Sequence, residues 1–274
     1  VGALSARKEA ILPDLGGGKP LIGILTLQGA VQDHFEALEK SGGVPLLVRS
    51  REDLEKIDGL IIPGGESTVM SRFLEQYHLV EPIREHARSG RPLWGICAGS
   101  ILLARQVLIS RPGLLSRAGT IAPGDSGYLS RKTEPGTLAL LPFIAERNSY
   151  GRQLASREHR VFAPSFLPEQ GAMMPFIRAP RFILSQHIPS HYILSKRAVP
   201  GQTEAGFDEL QVLAETGEGE AVGVIGGPER NILACSFHPE LTGETGFHQW
   251  LVKKAQRNLK KGNLKRGSAS LLPG

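Results

Sequence analysis

Cysteine is scarce in this chain: two residues among 274, Cys97 and Cys235. That excludes a disulfide scaffold, and a reducing compartment suits any thiol chemistry the chain performs. Long apolar runs are missing too. No stretch reaches bilayer-spanning length, and Val1 to Lys19 holds no apolar signal core. The expectation is a cytoplasmic chain with no membrane contact. Metal-ligand spacing is lacking: Pro189 separates His187 from His191, and no acid or thiol lies near them. No metal is expected. Gly64-Gly65-Glu66-Ser67-Thr68 lacks the spacing and the lysine of a phosphate-binding loop. No internal repeat is evident.

Acid is absent from one end. Residues 252–274 hold Lys253, Lys254, Arg257, Lys260, Lys261, Lys265 and Arg266 and no Asp or Glu. Without these seven the chain has 25 basic against 27 acidic residues, so the net charge of +5 belongs to a tail. No aromatic follows Trp250 to stack beside that charge, and no nucleic-acid partner is expected.

What is present is an alternation of strand and helix signals. Leu21–Leu27 reads as a buried strand and Val31–Lys40 as an amphipathic helix closed by Gly42-Gly43. Val44–Val48, Leu60–Ile62 and Leu93–Ile96 read as further strands, with a short helix over Glu52–Lys56. Ser67–Arg88 holds one or two helices, with Pro82 as a break or a new first turn. This order predicts an α/β fold with a mostly parallel central sheet and helices on both faces. Gln28, Gly65 and Cys97 then fall at carboxyl ends of strands, where such sheets bind ligands. One domain is expected over 21–257, with insertions near 108–136 and 186–231. Residues 1–20 and 258–274 are expected to be flexible ends, the second of them basic.

Gly95-Ile96-Cys97-Ala98-Gly99 joins an apolar strand to a helical sequence, Ser100–Gln106. Glycines two residues either side of a cysteine allow a strained strand-to-helix turn that presents the thiol at a helix N-terminus. The partial positive charge there favours a thiolate and a developing oxyanion. His238-Pro239-Glu240 follows a second apolar strand, Ile232–Cys235. In extended chain residues two apart share a face, so His238 and Glu240 can serve one site as base and orienting acid. Cys235 is read as a buried strand residue. His34, His78, His86, His159 and His248 have no chemical context and are read as packing or surface residues.

These motifs resemble class I, triad-type glutamine amidotransferases. Leu27-Gln28-Gly29-Ala30, Pro63–Thr68, Arg147–Gln153, Phe176–Pro180 and Phe237–Leu241 narrow the likeness to the glutaminase subunit of pyridoxal 5′-phosphate synthase, the PdxT/SNO family. The blocks occur in family order from about residue 21 to about residue 252. The resemblance implies a flavodoxin-like three-layer domain that hydrolyses L-glutamine. Cys97 would be the nucleophile, His238 the base and Glu240 its orienting acid. Backbone N–H groups of Gly65 and Ala98 would hold the oxyanion. Gly65, Glu66, Ser67, Arg147, Ile177 and Arg178 would contact the substrate. It implies no cofactor for this chain. Its partner would be a β/α-barrel synthase subunit, dodecameric as a double ring and carrying up to twelve glutaminase subunits. Two other readings stand beside this one. One is a glutaminase serving another pathway, such as histidine or nucleotide synthesis. The other is a non-catalytic regulatory homologue with Cys97 as a redox sensor, against which the His-Pro-Glu and arginine blocks argue.

Overall fold

The computed structural model describes residues 18–27, 31–108, 136–147, 149, 157–184 and 206–269, with side chains as far as Lys261. The expected first insertion and the motif residues Gln28-Gly29-Ala30, Asn148 and Tyr150–Gln153 fall outside the described residues wholly or nearly so.

A nine-stranded sheet forms the centre. Strands β1 (Leu21–Leu25), β2 (Val44–Val48), β3 (Gly59–Ile62) and β4 (Leu93–Ile96) lie where the apolar runs place them. With β12 (Ile232–Cys235) they make a parallel half in the order β2-β1-β3-β4-β12. Beyond β12 the sheet turns antiparallel, through β11 (Ala221–Gly226), β10 (Leu210–Thr216), β7 (Arg157–Phe162) and β8 (Ala172–Phe176). The α/β expectation is met, with a mixed sheet. Part of the expected second insertion is structural: β10 and β11 are interior strands, and the Gly217–Glu220 loop signals mark their hairpin turn.

Helices cover both faces because each parallel strand alternates its side chains. Leu60 and Ile62 face one layer and Ile61 the other, and on β12 Ile232 and Ala234 oppose Leu233 and Cys235. One layer holds α2 (Arg51–Lys56), α3 (Ser67–Gln76), α4 (Val80–Arg88) and α5 (Ala98–Leu103). The other holds α1 (Gln32–Lys40) and α6 (Gly246–Ala269). Ser50 and Asp53 cap α2 reciprocally, which lets so short a helix start sharply. Pro82 sits in the first turn of α4, where its missing N–H has no acceptor to lose.

Two boundaries differ from expectation. The helix after Cys97 ends at Leu103; Ala104 turns extended and begins β5 (Ala104–Leu108). That strand pairs with β6 (Leu141–Glu146), which pairs with β9 (Arg181–Leu184) in a second, three-stranded sheet. Pairing with β6 overrides the helical preference of Ala104-Arg105-Gln106. At the other end, α6 runs through the expected start of the tail without a break. Asn258 donates to the Gly90 carbonyl at 2.8 Å and Lys261 pairs with Glu229 at 3.1 Å, so residues up to 261 belong to the body. No helix among the described residues is long and apolar enough to cross a membrane.

Candidate active site

Strand β4 ends at Ile96, and Cys97 turns to φ 48°, ψ −103° before α5 begins. A non-glycine residue there stores about 1–3 kcal/mol of strain, and the surroundings must hold it. They do: the Cys97 N–H donates to the Cys235 carbonyl at 2.8 Å, and Ser100 Oγ donates to the Cys97 carbonyl at 2.7 Å. The flanking glycines answer to crowding. A Cβ on Gly99 would lie 2.1 Å from the Ile62 carbonyl oxygen, and one on Gly95 2.7 Å from that of Gly99. Helix α5 can therefore close onto β3 and β4 only without side chains at these positions. Ala98 is the first residue of α5, so its N–H has no intrahelical acceptor.

His238 follows β12, the strand beside β4, so the sheet itself brings it to Cys97. Its N–H donates to the Pro175 carbonyl of β8 at 3.0 Å. The reason His238 and Glu240 meet is not the extended chain expected from the spacing. Pro239–Leu241 is a 3-10 turn that swings Glu240 back, placing its Oε1 2.7 Å from His238 Nδ1. Both side chains are buried. Burial by itself would lower the proton affinity of His238, but Cys97 and Glu240 outweigh it and push the imidazole up to about 10. With Nδ1 committed to Glu240, Nε2 is the nitrogen left for the thiol, and it is buried with no partner. Cys97 Sγ also lies 3.6 Å from the Ile177 carbonyl, to which it can donate.

The remaining candidates gather around this pair. Gly65 and Glu66 lie exposed between β3 and α3, and Ser67 opens α3 with a buried, unpartnered Oγ. Arg147, at the end of β6, reaches the first turn of α3, where its Nη1 donates to Thr68 Oγ1 at 2.9 Å. Arg178, strained at φ 49°, faces Glu66 at 3.7 Å. Cys97, His238 and Glu240 thus share one centre, and both arginine blocks converge on the Gly65–Thr68 loop.

Sequence reasoning passed over Gly64. A Cβ there would lie 2.5 Å from His238 Cε1, so this glycine makes room for the imidazole. The Pro63-Gly64-Gly65 triplet carried that signal, but only the fold shows what the space is for. Thr68, partner of Arg147, was also not singled out. Behind the site lies a buried cluster. His34 Nδ1 and His248 Nε2 are 3.0 Å apart, and Trp94 packs edge-on to both rings. Burial first, then the charges of His248 and His238, lower His34 to about 3, and burial lowers His248 to about 4. Both are core histidines, neutral at physiological pH. Cys235 is a buried strand residue as expected, accepting from Trp94 Nε1 at 3.3 Å, and burial pushes its thiol well above the ordinary range. No group of three or more metal-ligating side chains occurs among the described residues, and His187 and His191 lie outside them.

A strained cysteine at a strand-to-helix turn, with a carboxylate-held histidine just beyond the end of the adjacent strand, defines a thiol-dependent acyl-transfer centre. The chain belongs to the SNO glutamine amidotransferase family, which it matches over residues 24–117 and 126–257. Among similar proteins, the pyridoxal 5′-phosphate synthase subunit PdxT of Bacillus velezensis is 36% identical over 237 residues, covering 86% of this chain and 95% of the relative. That of Mycobacteroides abscessus is 37% identical over 234 residues, covering 85% and 96%. A crystal structure of a glutamine amidotransferase superposes with TM-score 0.61 at 30% identity, over 85% of this chain and 98% of that one. The PurLQS structure from Thermotoga maritima, at 17% identity and TM-score 0.55 over 88% and 99%, shares the fold.

Proposed function

We propose that the chain hydrolyses the side-chain amide of L-glutamine and supplies the ammonia to a pyridoxal 5′-phosphate synthase subunit. The observation that carries the chemistry is His238, fixed at 2.7 Å by Glu240 with Nε2 left for the thiol of Cys97. His238, whose proton affinity its bonds to Cys97 and Glu240 raise, holds the proton given up by the thiol, and Cys97 Sγ attacks the amide carbon as the thiolate. The tetrahedral oxyanion is held by the backbone N–H groups of Ala98 and Gly65, each worth about 3 kcal/mol of barrier. As the C–N bond breaks, the imidazolium returns its proton to the leaving ammonia. Water, deprotonated by His238, then cleaves the glutamyl thioester and releases glutamate. Glu240 fixes the ring tautomer and stabilises its charge throughout.

Glu66, Ser67, Arg147, Ile177 and Arg178 bind the glutamine in this reading. Two guanidinium groups and one carboxylate face a substrate that carries one carboxylate and one ammonium group, which supports the assignment. The buried Ser67 Oγ has its hydrogen-bonding capacity free for the same ligand. The names of the relatives support the pathway. The partner is a β/α-barrel subunit, twelve of which bind up to twelve copies of this chain and combine the ammonia with a pentose phosphate and a triose phosphate. The active thiol, with both cysteines unbridged, suits a reducing cytoplasm. Glutamate release measured with and without the synthase subunit tests the proposal. Turnover stimulated by the partner and lost in Cys97→Ser is expected; glutaminase activity indifferent to both would reject it.

A further inference from the structure

We infer that a second site, sharing no residue with the Cys97 centre, binds a phosphorylated heteroaromatic small molecule. It is a cavity of about 560 Å³ beside α6, within the size range of small-molecule pockets. One wall is cationic. Lys253 and Arg257 stand one turn apart on α6, and Arg230 comes from the turn before β12. Among the described residues none of the three has a carboxylate partner. The one acid lining the cavity, Glu229, is already met by Lys261 at 3.1 Å, while Lys254 donates to its backbone carbonyl.

Arg230 is brought there at a conformational cost. Glu229 and Arg230 are consecutive non-glycine residues at φ 55° and 52°, in the sparsely populated left-handed region. The turn is pinned by Asn231, whose buried amide donates to the Ala87 and Arg91 carbonyls at 2.8 Å each. The rest of the lining includes an aromatic and apolar group, with Trp250 on the same helix as Lys253 and Arg257. Trp250 and Phe166 meet with ring centroids 6.4 Å apart, and Leu213 and Ile225 complete the lining.

The two parts of the lining set the ligand class. A monocarboxylate would leave most of the cationic wall uncompensated, whereas a phosphomonoester dianion offers three acceptor oxygens to two guanidinium groups and an ammonium. Phe166 is itself stacked on Phe247 at 4.7 Å and backs the indole; a bare sugar phosphate would leave the indole of Trp250 unused, whereas a flat ring stacks on it. The vitamin-type product of the proposed synthase and the nucleotides share this chemistry, so the test separates them.

The test is calorimetric titration of the full chain with pyridoxine 5′-phosphate, AMP, ribose 5-phosphate and inorganic phosphate. Pyridoxine 5′-phosphate carries the ring and the phosphate but no aldehyde, so lysine imines cannot imitate binding. One saturable site is expected for pyridoxine 5′-phosphate or AMP, whichever the cavity serves, with the two ring-free phosphates at least about tenfold weaker. The doubly substituted K253E/R257E chain, altered on the exposed face of α6, should lose at least about tenfold in affinity while melting normally. K253Q/R257Q is the milder second variant should reversal unfold the helix. Cys97→Ser should bind unchanged, which separates this site from the glutaminase reading. Absence of saturable binding by both ring phosphates, affinity untouched by removing the two cations, or equal binding of inorganic phosphate would overturn the inference.

Discussion

Replacing Gly64 by alanine adds one methyl group against the ring of His238. The new Cβ would lie 2.5 Å from Cε1 and 3.3 Å from Nδ1. Carbon atoms pack at about 3.5–4.0 Å, so the ring or the loop must retreat by about 1 Å. The ring cannot do so freely, because Nδ1 is held at 2.7 Å by a buried carboxylate and the backbone N–H is held by Pro175. Overpacking of this kind costs about 1–3 kcal/mol of stability, which leaves a folded protein. Misplacing the base by about 1 Å lowers turnover on the order of 10²-fold. The assay pairs partner-stimulated glutamine turnover with urea unfolding, and the rate of Cys97 alkylation by iodoacetamide reports on the thiol directly. Gly243→Ala is the control, since nothing lies within 4 Å of its Cβ position. A Gly64→Ala protein that is folded and turns over near the wild-type rate would refute this placement of the imidazole.

The other predictions concern the same centre and its support. Cys97→Ser should cut turnover by at least about 10³-fold with the fold intact, whereas Cys235→Ser should keep most activity, as steady-state kinetics on both will show. Glu240→Gln should retain glutamine binding by calorimetry and lose about 10²–10⁴-fold in kcat, because an amide cannot stabilise the imidazolium. Stability should peak near neutral pH. His34, His86 and His248 have lowered folded-state pKa values, about 3, 3 and 4, so stability is present above 6.5 and lost as pH falls; each pH unit below 6.5 removes about 1.4 kcal/mol per histidine. His238 is raised to about 10, so its contribution is full below 6.5 and lost as pH climbs through 10; urea titrations between pH 5 and 10 giving a flat profile would contradict both. Ending the chain after Lys261 should leave urea stability unchanged, whereas ending it after Arg257 should cost about 1 kcal/mol, through loss of the partly buried Asn258–Gly90 bond.

Much of this was legible in the sequence because short-range signals carried it. Strands β1 to β4 and β12 are short apolar runs bounded by turn signals, and the glycines around Cys97 announce a turn that only they permit. The antiparallel half was less legible. Strand β7, Arg157–Phe162, is half charged, and Pro175 interrupts β8, so neither reads as a strand before its partners are known. The hairpin β10–β11 was expected as insertion because its loop glycines spoke louder than its apolar residues. The pairing of His238 with Glu240 was legible as spacing but depends on a 3-10 turn that spacing does not encode. The role of Gly64 depends on a contact across 174 positions of sequence, which no local pattern records.

The central claim is that Cys97 carries the glutamyl group. Acid-quenched mass spectrometry of the chain turning over glutamine with its synthase subunit tests it directly. The account predicts a glutamyl adduct on the peptide containing Cys97, accumulating when the water step is slowed and absent from Cys97→Ser. Rapid glutamate release with no adduct on Cys97, or an adduct on another residue, would contradict it.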